Sequence, residues 1–409
     1  MYKGPELSRR RLFATAAGSV AAVGLAPRLF AQTPAPAPAP APAAAPPATL
    51  PPYVSWKNAD SMIIHTATTI ETKRSALGSS VITPTDRLFI RNNLPAPDAA
   101  IVANRDLWQL AVEGVGSARS FSVAELKALG LETVAMVLQC SGNGRGYFAN
   151  KPSGTPWQVG AAGCVIWSGV PVREVVAAVG GVAAGMDYMT STGGETLAAG
   201  VDPLTVMVER SVPVDAMQDA ILAWELNGEP LPLAHGGPLR LIVPGYSGVN
   251  NVKYVKRLAF TKEQSKAAIQ NTGYRMTPPG GRGDPSQPSV WKMAAKSWIN
   301  SPGPEGAPLK AGKLQIAGVA MGGSEAVAKV EVSTDGGKTW QTARLTGPDL
   351  GKYAWRQFVL SATLAAGSYD LASRVTDSTG KVQEEASAEN ASGYLNSGWK
   401  AHGFKITVA

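Results

Sequence analysis

The run Leu138-Gln139-Cys140-Ser141-Gly142-Asn143-Gly144-Arg145 joins one of the chain's two cysteines to a glycine-rich turn. The hydrophobic residues Thr133 to Leu138 precede it and predict a buried strand that ends at the thiol. A cationic Arg145 would hold the thiol as thiolate, which is a soft ligand for a transition metal. A buried structural cysteine explains the same window about equally well. The run therefore predicts a strand end at Cys140 and leaves its role open.

The N-terminus has the pattern of a twin-arginine export signal. Ser8-Arg9-Arg10-Arg11-Leu12-Phe13 precedes an apolar stretch, Ala14 to Ala26, and Leu29-Phe30-Ala31 supplies a small residue for cleavage. The apolar stretch is too short to span a bilayer. We expect residues 1–31 to be a signal peptide and the mature protein to be periplasmic, with a basic, disordered N-terminus as the alternative. Twin-arginine export carries folded proteins, often with a cofactor, so it favours the metal-ligand interpretation.

Composition limits the remaining possibilities. Residues 32–52 are rich in Ala and Pro and predict an extended linker. The formal charge of +8 falls to +4 without residues 1–31, because five cations there stand against Glu6 alone. That excess is too small to predict nucleic-acid binding, and no basic stripe interleaved with aromatics occurs. No other stretch predicts a membrane span, and we expect Cys140 and Cys164 to form no disulfide.

Residues 53–288 predict an α+β domain, because short strands and helical patches follow each other without regular βαβ alternation. The helix that opens at Ser122 has Glu125 at capping-box spacing, and a second helix opens with a proline. The predicted strands are Trp108 to Val112, Ala135 to Gln139 and Leu239 to Val243, and the predicted helices are Ser122 to Leu129 and Pro171 to Val179.

The proline-rich segment from Pro278 to Pro288 indicates a domain boundary, and residues 289–409 have a different sequence pattern. Short strands at regular spacing predict a β-sandwich of immunoglobulin type. The turn Asp335-Gly336-Gly337 lies between two of these strands. The predicted strands are Lys313 to Val319, Val327 to Ser333, Trp355 to Leu360, Gly367 to Thr376 and His402 to Val408.

A series of motifs in fixed order resembles the sulfite oxidase family of molybdenum enzymes over nearly all of the folded length, most of all its haem-free periplasmic sulfite dehydrogenases from bacteria. The motifs are Ile82-Thr83-Pro84, Leu88 to Pro95, Gln139 to Asn143, Trp157 to Gly169, Leu222 to Gly228, His235 to Arg240, Val243 to Lys253 and Val332 to Trp340. The resemblance implies a molybdopterin-binding catalytic domain followed by an immunoglobulin-like dimerisation domain, and a homodimer.

The resemblance also implies roles for single residues. Cys140 would bind the molybdenum of a molybdenum-molybdopterin cofactor. Arg91, Arg145, Tyr274 and Trp157 would form the substrate site, where guanidinium groups suit a small oxyanion. The residues implied to hold the pterin are Phe89, Ile90, Arg91, Asn92, Asn93, His235, Arg240, Asn251, Val252 and Lys253. No histidine lies at metal-binding spacing with another ligand, so a protein-only zinc or iron site is not expected.

The sequence departs from the family pattern at a few positions. Asn93 stands where many members have His, so any proton role of that His is lost. Ser392 occupies the place of a further substrate arginine of the vertebrate members, which makes the anion site less positive. Cys164 is expected to be a small buried residue. The chain has no Cys-x-x-Cys-His motif, so we expect no haem and a separate c-type cytochrome as electron acceptor.

Three functions remain open at this point. The first is a molybdenum-dependent sulfite dehydrogenase that oxidises sulfite to sulfate with water as the oxygen source. The second is a relative in the same family that acts on another sulfur compound, such as a sulfur-intermediate dehydrogenase or a sulfoxide reductase. The third is a non-enzymatic exported binding protein that uses the immunoglobulin-like domain. The motif order favours the first.

Overall fold

The computed structural model describes residues 49–95 and 97–409. The predicted signal peptide, residues 1–31, and most of the predicted linker, residues 32–52, lie outside the described residues. The strands are β1 (Met62–Thr66), β2 (Thr69–Thr72), β3 (Ile90–Arg91), β4 (Gln109–Glu113), β5 (Arg119–Ser122), β6 (Glu132–Gln139), β7 (Ala162–Pro171), β8 (Tyr188–Gly193), β9 (Glu209–Pro213), β10 (Ile221–Leu226), β11 (Glu229–Pro230), β12 (Arg240–Ile242), β13 (Val255–Thr261), β14 (Lys296–Ser301), β15 (Gly312–Met321), β16 (Val327–Ser333), β17 (Gln341–Thr342), β18 (Arg344–Thr346), β19 (Arg356–Leu364), β20 (Gly367–Asp377) and β21 (Phe404–Val408). The α-helices are α1 (Val123–Ala128), α2 (Val172–Ala178), α3 (Pro203–Val206), α4 (Ala268–Asn271) and α5 (Trp399–His402).

Two five-stranded sheets form the core of the first domain. One has the order β11-β10-β7-β6 with β12 beside β10, and the other has the order β5-β4-β13-β8-β9. Apolar side chains from both sheets and from α1 and α2 pack into one cluster, for example Leu110, Leu126, Val176, Leu222 and Leu258. Only β4 and β13 pair in parallel among the named strands of the described residues. This confirms the predicted α+β class without βαβ alternation.

The two predicted helices are present with ends one residue inside the predicted bounds. Ser122 caps α1, because its hydroxyl accepts from the Glu125 amide while the Glu125 carboxylate accepts from the Ser122 amide. Pro171 precedes α2, whose residues Val172, Val175 and Val176 face the core. These local signals therefore identified the helices correctly.

The second domain is a β-sandwich, as predicted. Its two four-stranded sheets have the orders β14-β15-β19-β18 and β17-β16-β20-β21. Ile316 and Phe358 of one sheet pack with Val330 and Val375 of the other in a single apolar cluster. Strand β16 matches its predicted bounds, and the turn after it is held by Asp335, whose carboxylate accepts from the amide and hydroxyl of Thr339.

The sandwich packs directly against the first domain. Trp298 and Trp355 lie edge to face at 6.1 Å and share an apolar cluster with Val137 and Cys164 from strands β6 and β7. Burial raises the pKa of the Cys164 thiol to about 12. Cys164 is a free, buried residue of this junction, and the junction holds the strand that leads into Cys140.

Candidate active site

A pocket that is partly open to solvent lies where several strands and turns of the first domain end. Its wall is formed by Phe89, Arg91, Asn92, Asn93, Leu94, Leu138, Cys140, Ser141, Glu195, Val208, His235, Arg240, Gly248, Val249, Asn251, Val252, Lys253, Tyr254 and Tyr274. The pocket therefore brings together all of the predicted site residues except Ile90, Arg145 and Trp157.

Cys140 sits at the end of β6, on the pocket wall. Its amide donates to the Ala161 carbonyl at 2.9 Å and so extends the pairing of β6 with β7. The next turn closes when the Asn143 amide donates to the Cys140 carbonyl at 2.9 Å. The Asn143 side chain donates to the Val159 carbonyl and accepts from Lys296 Nζ of β14 at 2.5 Å. The second domain thus helps to hold the turn that presents the thiol.

Three basic side chains form one side of the pocket. His235 ends a short 3-10 turn, Arg240 begins β12, and Lys253 follows the loop after it. The Arg240 guanidinium donates to the carbonyls of His235 and Asn251 at 2.8 and 3.1 Å. Lys253 Nζ donates to Asn92 Oδ1 and to the Ala234 carbonyl, both at 2.6 Å. Two short segments therefore place three cationic or titratable groups on one wall.

Burial controls the charge of this wall. It lowers the pKa of Arg240 to about 10. It also lowers the pKa of Lys253 well below its ordinary value, with a further contribution from the Arg240 charge. The pKa of His235 falls well below its ordinary value through burial and through the neighbouring Lys57, Lys253 and Arg240. These groups repel one another, so an anion bound among them would raise the pKa of each.

Lys57 is a buried residue that the sequence did not mark. Its ammonium lies behind His235, with Nζ 3.0 Å from His235 Nε2, and donates to the carbonyls of Thr85 and Leu88 at 2.8 and 2.7 Å. Burial lowers the pKa of Lys57 to about 7, although the charge of Asp86 opposes the shift. A lone lysine between Trp56 and Asn58 gives no periodic or motif signal, so only the fold reveals this contact.

The loop after β3 supplies a neighbouring part of the wall. The Arg91 guanidinium donates to the Asn92 carbonyl and, at 2.7 Å, to Asn93 Oδ1. Asn92 is buried and accepts from Lys253, whereas Asn93 is exposed. Asn93, at the position that departs from the family pattern, therefore orients Arg91 through its amide oxygen.

Three predicted site residues do not line the pocket. Ile90 alternates with Phe89 and Arg91 along the chain, so its side chain points into a separate cluster with Val54. Trp157 is fully buried behind Phe89, with ring centroids 6.4 Å apart. Arg145 is not a lining residue, and its guanidinium donates to the carbonyls of Thr155 and Ser392 at 2.9 and 2.8 Å.

The pocket also contains groups that sequence reasoning missed. Burial raises the pKa of Glu195 to about 7, and this carboxyl lies near Lys253. Ser141 Oγ and Tyr254 OH are buried on the wall without a hydrogen-bond partner. Glu195 stands in a glycine-rich loop after β8, where no motif distinguished it from a solvent-exposed acid.

The donor set fits a large anionic group with a thiolate-binding metal. Unpartnered buried hydroxyls and cations without carboxylate partners favour a ligand rich in oxygen and negative charge. A molybdopterin carries such a phosphate, and Cys140 is the single soft ligand on the wall. Among the described residues, no group of three or more His, Cys, Asp and Glu side chains could hold a metal by itself. The wall therefore suits a metal that arrives with its own organic ligand.

Comparisons with known proteins agree with this donor set. The family described as "Oxidoreductase molybdopterin binding domain" matches residues 95–269, and the "Mo-co oxidoreductase dimerisation domain" matches residues 287–408. Mitochondrial sulfite oxidase from Macaca fascicularis is 30% identical over 381 residues, which cover 86% of this chain and 68% of that protein. Sulfite oxidase from Gallus gallus is 30% identical over 344 residues, which cover 79% of this chain and 73% of that protein.

The chain is also similar to a solved structure, that of the sulfane dehydrogenase SoxCD from Paracoccus pantotrophus. The TM-score is 0.70 at 28% identity, and the match covers 85% of this chain and 88% of the other. Within residues 49–95 and 97–409, no helix has the length and apolar character that a membrane span requires.

Proposed function

Because the chain belongs to the sulfite oxidase family of molybdenum enzymes, we propose that it is a sulfite dehydrogenase. The family makes it an oxidoreductase with a molybdenum-molybdopterin cofactor that acts on a sulfur compound. The observation that carries the finer proposal is the pocket, where the Cys140 thiol, the Arg91 guanidinium and the Tyr274 ring share one wall. A small sulfur oxyanion bound beside Cys140 would meet a fixed positive charge and a hydroxyl donor.

The residues divide into two groups by the part of the assembly that they would hold. Cys140 would be the protein's one ligand to the molybdenum, and Lys253, Arg240 and His235 would bind the anionic end of the pterin. The bound cofactor supplies the two-electron oxygen-transfer chemistry. Lys57 would orient the His235 ring, because its Nζ lies within hydrogen-bond distance of His235 Nε2.

On the substrate side, Arg91 would bind two oxygens of sulfite through its planar guanidinium. Asn93 supports that geometry because it accepts from the same guanidinium. The Tyr274 hydroxyl would donate to a substrate oxygen. The overall reaction takes sulfite and water to sulfate, two protons and two electrons, so the pocket must release protons as well as product.

Three further parts of the proposal concern the surroundings of the enzyme. The Ser8 to Phe13 motif supports twin-arginine export and a periplasmic location. Electrons would leave singly to a separate c-type cytochrome. The match of residues 287–408 to a dimerisation domain supports a homodimer.

A second candidate substrate is a sulfane-type sulfur compound, and two observations favour it. The resemblance to the family implies that Ser392 stands in the place of a substrate arginine of the vertebrate enzymes, and the solved structure of similar fold is described as a sulfane dehydrogenase. A less positive anion site would admit a substrate with less charge at the reacting sulfur.

The test is an anaerobic titration of the purified protein with sulfite, followed by the electron paramagnetic resonance signal of Mo(V). We expect the signal in the wild type and in Cys164→Ser, and no signal in Cys140→Ser. Cys164 is the matched control because it is the other buried free thiol and lies outside the pocket.

Different results would redirect the proposal. Bound molybdenum that sulfite fails to reduce, and that a sulfane compound does reduce, would transfer the function to the second candidate. Protein from a host competent in cofactor synthesis that contains no molybdenum would contradict the cofactor and favour a binding protein. Reduction of a c-type cytochrome by sulfite and catalytic amounts of enzyme tests the acceptor, and Arg9→Lys with Arg10→Lys tests export by cell fractionation.

A further inference from the structure

Tyr274 belongs to a row of four stacked side chains that the sequence motifs do not explain. The Tyr274 and Tyr394 rings are nearly parallel, at 14°, with centroids 4.9 Å apart. The Arg145 guanidinium carbon lies 5.6 Å from the Tyr394 centroid, and that of Arg210 lies 5.5 Å from the Tyr274 centroid. A guanidinium over an aromatic face and two offset rings are both favourable arrangements.

Both arginines in this row are fixed by neutral oxygen atoms. Arg145 is held by the Thr155 and Ser392 carbonyls. Arg210 is fully buried and donates to Asn250 Oδ1 from Nε and Nη2 at 3.3 and 3.1 Å, and to the Ile269 carbonyl at 2.7 Å. The cations therefore have fixed positions at the two ends of the pair of rings.

Tyr394 reaches Tyr274 from a loop that follows the last long strand of the sandwich. Two reciprocal hydrogen bonds fix this loop, because the Tyr394 amide donates to Asn390 Oδ1 at 2.8 Å while Asn390 Nδ2 donates to the Tyr394 carbonyl at 2.8 Å. The Leu395 amide donates to the Ser141 carbonyl at 2.9 Å, one residue from Cys140. The loop is thus tied to the turn that presents the thiol.

Tyr274 has a backbone that needs external support. Its φ of +50° lies in the left-handed region, which is unfavourable for a residue with a Cβ. The pocket wall includes Tyr274, but neither Arg145 nor Tyr394. The Tyr274 carbonyl accepts from the Val290 amide at 2.8 Å, and the contacts to Tyr394 and Arg210 hold its ring.

We infer that Tyr394 is a positioning residue for substrate binding: its ring stacks on Tyr274, sets the place of the Tyr274 hydroxyl, and connects Arg145 to the anion site without direct contact. The inference rests on the proposed role of Tyr274 toward an oxyanion. It assigns a function to a residue that lies two positions after Ser392. Ring stacking is the required property, and the Tyr394 hydroxyl is dispensable.

The test uses holoenzyme of wild type, Tyr394→Phe and Tyr394→Leu, each also in a Tyr274→Phe background. We measure kcat and KM for sulfite, and the Kd of sulfate by calorimetry, which requires no turnover. We expect Tyr394→Phe to stay within about twofold of wild type, and Tyr394→Leu to raise KM and the sulfate Kd about five- to tenfold with a smaller change in kcat. In the Tyr274→Phe background, Tyr394→Leu should change either constant by less than about twofold.

Controls separate positioning from folding. The control variant is Tyr369→Leu, because Tyr369 lies on β20 outside the pocket. The molybdenum content and melting temperature of Tyr394→Leu should match those of this control. The inference would be wrong if Tyr394→Phe raised KM and the sulfate Kd as much as Tyr394→Leu does. It would also be wrong if Tyr394→Leu had its full effect on these constants in the Tyr274→Phe background, or if the wild type did not bind sulfate. A wild type that binds sulfate but is not reduced by sulfite contradicts the proposed function alone, and the sulfate Kd values then decide the inference.

Discussion

The pocket wall and the outer face of the sandwich hold their cations in opposite ways. On β16 and β20, Glu331 accepts from Arg374 at 2.9 Å and from Lys329 at 3.1 Å. Burial alone would raise the pKa of Glu331, but these two hydrogen bonds bring it below its ordinary value. On the pocket side, Lys57 and Lys253 are hydrogen-bonded to neutral groups, and burial lowers the pKa of both.

The difference indicates that the buried cations beside the pocket lower the stability of the folded chain, whereas the paired cations of the sandwich do not. A cation removed from water without a carboxylate partner is unfavourable, whereas a solvent-exposed ion pair is nearly neutral. Glu195, the acid on the wall, does not compensate fully because burial raises its pKa to about 7. The pocket is therefore arranged for an anion that comes from outside the chain, and its stability should depend on that anion.

The largest effect should follow from removing a cation of the wall. Lys253→Met should lower the molybdenum and pterin content of the purified protein about tenfold or more, because the side chain that would contact the anionic end of the pterin is lost. The same change should alter the free energy of unfolding of the cofactor-free protein by no more than about 2 kcal/mol, because it removes a buried cation but leaves Asn92 Oδ1 and the Ala234 carbonyl without this donor. Metal analysis and thermal unfolding measure the two effects.

Lys256→Met is the matched control, because Lys256 is exposed on β13 and does not line the pocket. It should retain the cofactor. If Lys253→Met keeps its cofactor, or if it destabilises the cofactor-free protein by several kcal/mol, Lys253 is a structural residue and the contrast with the sandwich is wrong.

The next effect concerns pH and Lys57. Its pKa is about 7 in the folded chain, against 10.5 ordinarily, so the unfolded chain binds more protons between these values. The free energy of unfolding therefore rises with pH in that window, at most by about 1.4 kcal/mol per unit. Between pH 7 and 9, the cofactor-free wild type should gain about 2 kcal/mol relative to Lys57→Met.

The measurement is denaturant unfolding of both cofactor-free proteins at several pH values. Only the difference between them is informative, because Lys253 and Lys296 also have pKa values below the ordinary one and shift both curves in the same direction. Parallel curves would mean that Lys57 keeps its proton across the window and that the wall tolerates the charge.

The same contrast explains what the sequence could predict. Local rules identified α1 through Ser122 and Glu125, and the pattern of short strands in residues 289–409 identified β16 without error at either end. Cys140 and Arg240 were found because each lies in a motif carried by a single short segment. These elements and site residues could be predicted because a few neighbouring residues determine each of them.

The remaining parts of the site depend on distant segments. Lys57 contacts His235 across 178 positions, and Arg145 is held by a carbonyl 247 positions away. No local pattern shows which carbonyl a guanidinium will find, so the sequence placed Arg145 on the wall and omitted Lys57. Ile90 was assigned with its neighbours, although strand alternation turns its side chain to the other face.

The smallest expected effect tests the other side of the comparison. Lys329 is 46% exposed and pairs with Glu331, which keeps a second partner in Arg374. Lys329→Met should change the free energy of unfolding by less than about 1 kcal/mol, should leave the cofactor content unchanged, and should lose its effect in high salt. Denaturant unfolding at low and high ionic strength checks this. A loss of several kcal/mol in Lys329→Met would show that the Lys329–Glu331 pair contributes substantially to stability. The cations of the sandwich and of the pocket wall would then differ in their hydrogen-bond partners but not in their importance for folding.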